Sequence, residues 1–589
     1  MDTQFFKKKR RQEAYALATV MVIGGISIGL FASAARWTES SSVLNDRHNT
    51  YNSAVAAAEG ATELVLSYLD RDFVNQSYDP ANLIAYQNLV PTNDWAAAYQ
   101  FSDGAGGVNR TFVTGSSTNV MTSLSGQFAG LYGLAYNCSV RANARPVGPY
   151  DMAAAVDQEL QLASIPVFQF AIFYGMTLEI NPGPAMKITG KVHSNADIYT
   201  CPGATLEYAD TVTAVGDIHN GSRAPGDPTA PSGKMPTYDM TNQPTPHASS
   251  LTLPVGTNNS PAAVRSIVEV PPFNEDPNSP EGKQRYYNNA DLVVTVTPTN
   301  AIVQTGQWDG FKDVTPDVGV GTNASYSFVT TNDSFYDARE QKNTMLTDLN
   351  VGFMNKWMTN TAASGGSSLN NRVLATLGHP INSVYVNDER VKSGNLTVVR
   401  VSNGQQLPPG GLTVATALPL YVKGSFNAPV TTPGYTNTSN TLPASLVGDS
   451  ITVLSQSWQD YINNTKSVTQ RPATDTTVNA AFMAGIVQTA TVGKVGHYSG
   501  GVENFPRFLE DWGSSGKTFT YNGSMVVMFP SQYATNWWND PGTGSANYYN
   551  APTRKWAFDV NFLDYRKLPP ATPMVRQLIR GQWSVVAAR

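Results

Sequence analysis

The sequence predicts an α+β protein that is mainly β: a long N-terminal transmembrane helix, an α+β unit packed on it, then a parallel β-helix-like (solenoid) domain carrying insertions. Three observations predict this. A basic cluster is followed by an uncharged apolar run and an alanine-rich stretch at helical spacing. Alternating apolar and aromatic residues follow between 98 and 147. Further on, VHSNADI at 192–198 recurs as VTAVGDI at 212–218, an offset of 20 residues.

Lys7, Lys8, Lys9, Arg10 and Arg11 precede a segment with no charged side chain between Ala14 and Ala35. As a helix this segment spans roughly 33 Å, enough to cross a hydrocarbon core of about 30 Å. The basic side marks the cytoplasmic end, so everything after Arg36 is exported. Three readings fit: a cleaved secretory signal ending at Ala32-Ser33-Ala34, a plain single-span anchor, and a filament-type stem. The stretch beyond the membrane favours the stem, because Tyr51, Val55, Ala58, Thr62, Val65 and Leu69 form one stripe along a helix. Ala54, Ala56, Ala57, Ala58 and Ala61 keep that side thin, so another element can approach closely. Residues 38–50 hold poor helix formers, Ser40 to Ser42, Asn45, Asn49 and Thr50, and are expected to fray. Within the membrane, Gly25, Gly29 and Ser33 place small side chains on one face where a second helix can pack.

With these residues in view, 7–73 resembles the N-terminal region of the PilX-like minor pilins of type IV pilus systems: basic leader, apolar helix, then the Ala-Ala-Ala-Glu-Gly stretch at Ala56 to Gly60. The resemblance implies a cut by prepilin peptidase between Ala14 and Tyr15. It also implies other pilins and the pilus assembly platform as partners, and a single inner-membrane pass before export to a pilus or the cell surface. Two residues depart from the family pattern. Alanine stands before the cut where glycine is usual, and Thr19 stands where a glutamate is common. The blocks GKVHSNADIY (190–199), FYDAREQK (335–342), LPLYVKGSFN (418–427), GDSITVLSQSWQD (448–460) and YSGGVENFPRFLEDW (498–512) resemble those of large exported bacterial proteins with the same start. That group implies an envelope or pilus-associated role and brings no reaction or ligand.

Composition agrees with export: 14% of the 589 residues are charged and the net charge is −5, which offers no basic surface for nucleic acid. Cys138 and Cys201 lie where oxidation is allowed, so one disulfide or two buried thiols are both open. Two cysteines and six scattered histidines give no metal-binding spacing, and no cofactor fingerprint occurs.

The chain divides into a leader (1–14), the membrane and stem helix (15–73), a pilin-like α+β head (74–164), a first solenoid part (165–222), an insertion region (223–405) and a second solenoid part with the C-terminal region (406–589). Within 74–164, residues 98–112 and 127–147 read as half-buried strands and 151–164 as a short helix or last strand. Residues 165–176 read as one buried strand. The 20-residue period aligns Val192 with Val212, Asp197 with Asp217 and Ile198 with Ile218, near one coil of a solenoid. YVKGSFN (421–427), LVGDSITVL (446–454) and YNGSMVV (521–527) repeat its glycine corner, where glycine is expected to supply a positive φ. An ordinary β-sandwich is the alternative. In the insertion region 223–289 reads as loop, and Leu292, Val294 and Val296 begin strand patterning. Met345, Leu349, Phe353 and Trp357 predict a helix over 337–358, a second helix is expected at 478–487, and 361–370 reads as a linker.

Catalysis on a β-helix needs carboxylates gathered on one face. Asp197, Asp217, Asp449, His193 and Lys423 are the candidates, and turn stabilisation explains the aspartates equally well, so no catalytic residue is assigned. In ENFPRFLEDW, Arg507 is expected to pair with Glu503 or Glu510 at helical spacing; Asp511 completes the charged cluster. Trp512, Trp537 and Trp538 are the candidate surface for a glycan or protein ligand. The expected function is a structural minor pilin or pseudopilin-like component, not an enzyme. A membrane-anchored adhesin or a polysaccharide hydrolase or lyase is the alternative.

Overall fold

The computed structural model describes residues 4–91, 97–148, 152–239, 241–253, 260–318, 327–359, 365–429, 437–461, 467–538 and 547–589, with side chains from Tyr15 onward. The described chain is mostly β behind one long helix.

That helix, Gln4–Val74, is unbroken over 71 residues and about 105 Å. The expected fraying at 38–50 does not occur. Thr38 Oγ1 donates to the Ala34 carbonyl (2.8 Å) and Thr50 Oγ1 to that of Asp46 (2.7 Å), so these hydroxyls fold back on their own helix instead of capping a break. The first half is bare: Tyr15, Val20, Phe31 and Trp37 are all exposed. The second half packs down. Ala57, Ala58 and Ala61 meet Phe101, Ala142, Ala144 and Val156, and Val65, Leu66, Leu69 and Phe73 meet Val113, Val140, Leu160 and Leu162. Burial of each large side chain there contributes about 1.5–3 kcal/mol.

The surface it packs on is a six-stranded antiparallel sheet. Tyr99–Ser102, Phe112–Gly115 and Val120–Ser123 all pair with Tyr132–Pro146, which pairs with Ala154–Pro166. The outer strand is Met574–Val586, pairing from Met574 opposite Pro166 to Val586 opposite Ala155 with a shift of register between Arg580 and Trp583. The end of the chain therefore returns to the stem. Residues 165–176 are not one strand: the chain leaves the sheet at Pro166, makes a 3₁₀ turn over Val167–Gln169 and resumes at Ile172–Tyr174. Gln169, fully buried, fixes that turn by donating to the Tyr132 and Pro166 carbonyls.

Beyond the turn, short strands stack in parallel. One sheet of ten runs in the order Val212–Ala214, Val192–Ser194, Ile172–Tyr174, Met525–Val527, Ala481–Ala484, Ala444–Gly448, Leu412–Ala415, Ser383–Asp388, Leu292–Val296 and Ala301–Thr305, with only the last pair antiparallel. A seven-stranded sheet includes Lys342–Asn350, Asn395–Ser402, Leu420–Lys423, Ile451–Leu454 and Pro506–Phe508. The 20-residue offset becomes physical register: Val192 lies opposite Val212 and Ile198 opposite Ile218. A third member, not evident in the sequence, adds Ile172 opposite Val192 and Leu178 opposite Ile198. Inward side chains from all these strands merge into one apolar core. Strands from the insertion region, Leu292–Val296 and Ser383–Asp388, belong to the same stack.

Several local expectations fail for definable reasons. Residues 337–358 are not one helix; Lys342–Asn350 is a strand and only Val351–Thr359 is helical. A spacing of four is also an even number, so Met345 and Leu349 satisfy strand alternation as well as helical spacing. At 478–487 there are two strands, Thr476–Asn479 and Ala481–Ala484, favoured by β-branched Thr476, Thr477 and Val478. Residues 361–364 lie outside the described chain, but Gly365–Leu377 is helix, not linker, with Leu369 and Val373 buried. The corner glycines also differ from expectation. Gly424 does have φ +79°, whereas at Gly523 the demand is space: a Cβ there would sit 2.0 Å from the Ala480 carbonyl oxygen.

Candidate functional site

Two surfaces stand out once the sequence candidates are placed. The first is the bare half of the stem. The helix runs without a break through Ala14 and Tyr15, and Tyr15 is exposed. A Cβ on Gly25 or Gly29 would meet nothing within 4 Å, and Ser33 Oγ donates to the Gly29 carbonyl (2.8 Å), which leaves that face small. The helix is long and apolar enough to cross a membrane by length and composition.

The titratable candidates serve structure. Asp449 is fully buried; it accepts from Arg265 Nη1 (2.7 Å) and from the backbone N–H groups of Gln532, Tyr533 and Ala534. Asp197 Oδ1 accepts the Asp217 N–H (2.9 Å), joining the turns of the two 20-residue repeats. Asp217 lies 3.5 Å from exposed His247. His193 is buried between Thr213 Oγ1 and Asn195 Oδ1, and burial pushes its imidazole down to about 4. Lys423 ends the strand Leu420–Lys423, remote in the fold from the Asp197 corner.

ENFPRFLEDW is a 3₁₀ turn, Val502–Asn504, followed by the strand Pro506–Phe508, so the helical pairing of Arg507 does not form. Arg507 instead binds buried Glu340 (2.7 Å). Glu503 accepts from Tyr498 Oη and the Asn181 N–H. Glu510 accepts from the N–H and Oγ of Ser455, and Asp511 from Asn550 and Ser514. Burial raises the Glu510 and Glu179 carboxyls to about 7.

The three tryptophans do not make a common surface. Trp512 is fully buried against Phe508 and Phe519. Trp537 stacks on His497 at 4.1 Å and donates to the Gln488 carbonyl, while Trp538 donates to Tyr549 Oη and packs edge-on to Tyr498. Cys138 and Cys201 are free buried thiols, beside Tyr78 and Ser232 respectively, so the disulfide reading falls. Among the described residues no group of three His, Cys, Asp or Glu side chains is arranged to hold a metal.

The second surface lies outside the sequence candidates. Met525–Val527 joins Ile172–Tyr174 in the ten-stranded sheet, yet on another face the neighbouring edges, Met186–Ile188 and Thr553–Phe558, do not pair. They meet at one end, where the Phe558 N–H donates to Thr189 Oγ1 (3.1 Å), and part at the other around a cavity of about 540 Å³. Its walls include Pro182, Pro184, Lys187, Arg554, Lys555 and Trp556. The signal in the sequence is Thr-Arg-Lys-Trp at 553–556, cations and an aromatic on one edge strand.

No family model matches the chain, and no curated protein matches it. Among solved structures, it is similar to the competence-associated pilin ComZ from Thermus thermophilus, over 91% of this chain and 97% of that one, at 10% identity and a TM-score of 0.27. A superposition at that score decides neither fold nor function.

Proposed function

We propose that this chain is a structural minor pilin or pseudopilin-like component of a type IV pilus or a related secretion system, present in few copies at a filament tip or base. The supporting observation is the two-part stem: one helix, apolar and bare over its first half, clamped by alanines to a sheet over its second. Such a helix rests in a bilayer alone and then exchanges lipid for the matching helices of neighbouring subunits, with Gly25, Gly29 and Ser33 as the close-approach face. Its partners in this reading are other pilins and the assembly platform, and its location is a single inner-membrane pass with the head exported.

We read the stacked strands as a parallel β-helix, supported by the registers at 20-residue intervals. So large a head on one thin helix crowds a continuous fibre, which favours a terminal position over the major subunit. We also propose that the head is not an enzyme, since Asp449, Asp197 and His193 are engaged in holding the coils together. Antibody to the head, viewed on purified filaments, tests the placement: label confined to filament ends or to the envelope supports it, and even label along the shaft contradicts it.

A further inference from the structure

We propose that the cleft between Met186–Ile188 and Thr553–Phe558 binds an acidic saccharide of the uronate class. The site stands apart from the filament assignment, since it lies in the head and uses no residue of the stem. Three properties of the cleft carry the inference.

The first is charge. Lys187, Arg554 and Lys555 line the cavity, and among the described residues no carboxylate does. Glu207 sits outside it, paired with Lys187 at 2.6 Å, and leaves Lys555 at the rim to meet a guest. An anion is therefore favoured over a neutral or cationic guest.

The second is an aromatic wall. Trp556 lines the cavity beside Arg554, whose Nη2 donates to Asn504 Oδ1 (3.1 Å) and whose guanidinium lies 5.7 Å from the Trp556 ring. An indole wall suits the C–H face of a sugar ring, and the carboxylate of a uronate suits the cations beside it.

The third is shape. Two open sheet edges usually invite an added peptide strand, but here the wide end is walled by Pro182, Pro184 and Pro552, which have no N–H to offer. The other end is already closed by the Phe558 to Thr189 bond. A strand cannot be laid along both edges, whereas a compact oligosaccharide fits a cavity of this size, within the range of about 300–1,000 Å³ that holds small ligands.

The test is titration of the full chain in detergent with a mannuronate trisaccharide, mannotriose and hexaglutamate, followed by calorimetry and tryptophan fluorescence. These probes differ in charge or in polymer class. The uronate is expected to bind at least tenfold more tightly than mannotriose and hexaglutamate, and K555E, at an exposed rim position, is expected to weaken it at least tenfold while circular dichroism stays unchanged. Equal binding of mannotriose, tighter binding of hexaglutamate, no binding of the uronate, or a K555E affinity equal to the parent would each overturn the proposal. The wild-type comparison alone decides the case should a variant misfold.

Discussion

Met525 lies in parallel register beside Ile172, so the last strand of the ten-stranded sheet in chain order is hydrogen-bonded to the first. Followed across the ten-stranded sheet, the chain runs from Leu292–Val296 through Ser383–Asp388 to Met525–Val527 and then continues at Ile172–Tyr174, as one progression cut and rejoined in the middle. Both connections to the stem sheet, after Pro166 and before Met574, leave from that seam. Gly523, two residues before Met525, is held against the Ala480 carbonyl. Gly523→Ala is expected to destabilise the head by at least about 1–3 kcal/mol, the usual cost of overpacking, read as a lower urea midpoint.

Asp449 ties three backbone N–H groups and Arg265 to the corner between the strands Ala444–Gly448 and Ile451–Leu454. Its removal leaves the buried Arg265 guanidinium with only the part-exposed Glu269 as counter-charge. Asp449→Ala is expected to cost about 3–5 kcal/mol, and chemical denaturation of the full chain checks it.

The head should lose stability as pH rises from about 5 to 7. Burial holds the Glu510 carboxyl up at about 7, against 4.5 in the open chain, and the bonds from Ser455 only partly offset this. Between those values the folded state keeps a proton that the unfolded chain has released, so stability falls through the window and levels off above it. Glu510→Gln is expected to flatten that slope. His193 acts in the opposite sense, its contribution rising between about 4 and 6.5, so the difference between parent and variant urea midpoints isolates the carboxylate.

On the stem, packing should outweigh charge. The Glu63–Arg580 pair links helix to outer strand, but both side chains are about half exposed, and such pairs contribute about 0–1 kcal/mol. Ala58 is fully buried where helix meets sheet. Ala58→Leu is expected to cost about 1–3 kcal/mol, and Arg580→Ala less than about 1 kcal/mol; thermal unfolding of the two variants gives the order.

What the sequence made legible was whatever repeats locally. The alanine stripe announced the clamp on the sheet, and the match of 192–198 with 212–218 announced the strand register, because strands stacked in parallel need like residues at like positions. The copy at 172–180 is hidden, since Tyr174 and Thr177 share little with their counterparts beyond burial or size. Pairing of Met574–Val586 with Ala154–Pro166 could not be read at all, because nothing near either strand encodes so distant a partner. Tryptophan adjacency misled in the same way: composition does not tell an inward residue such as Trp512 from one lining an opening such as Trp556, and only the fold of the seam decides.

The most direct measurement is the N-terminal residue of the mature protein, in cells with and without prepilin peptidase. The filament account predicts Tyr15, and retention of the leader when the peptidase is deleted. A mature start at Ala35, or an intact Met1 in both strains, would contradict it.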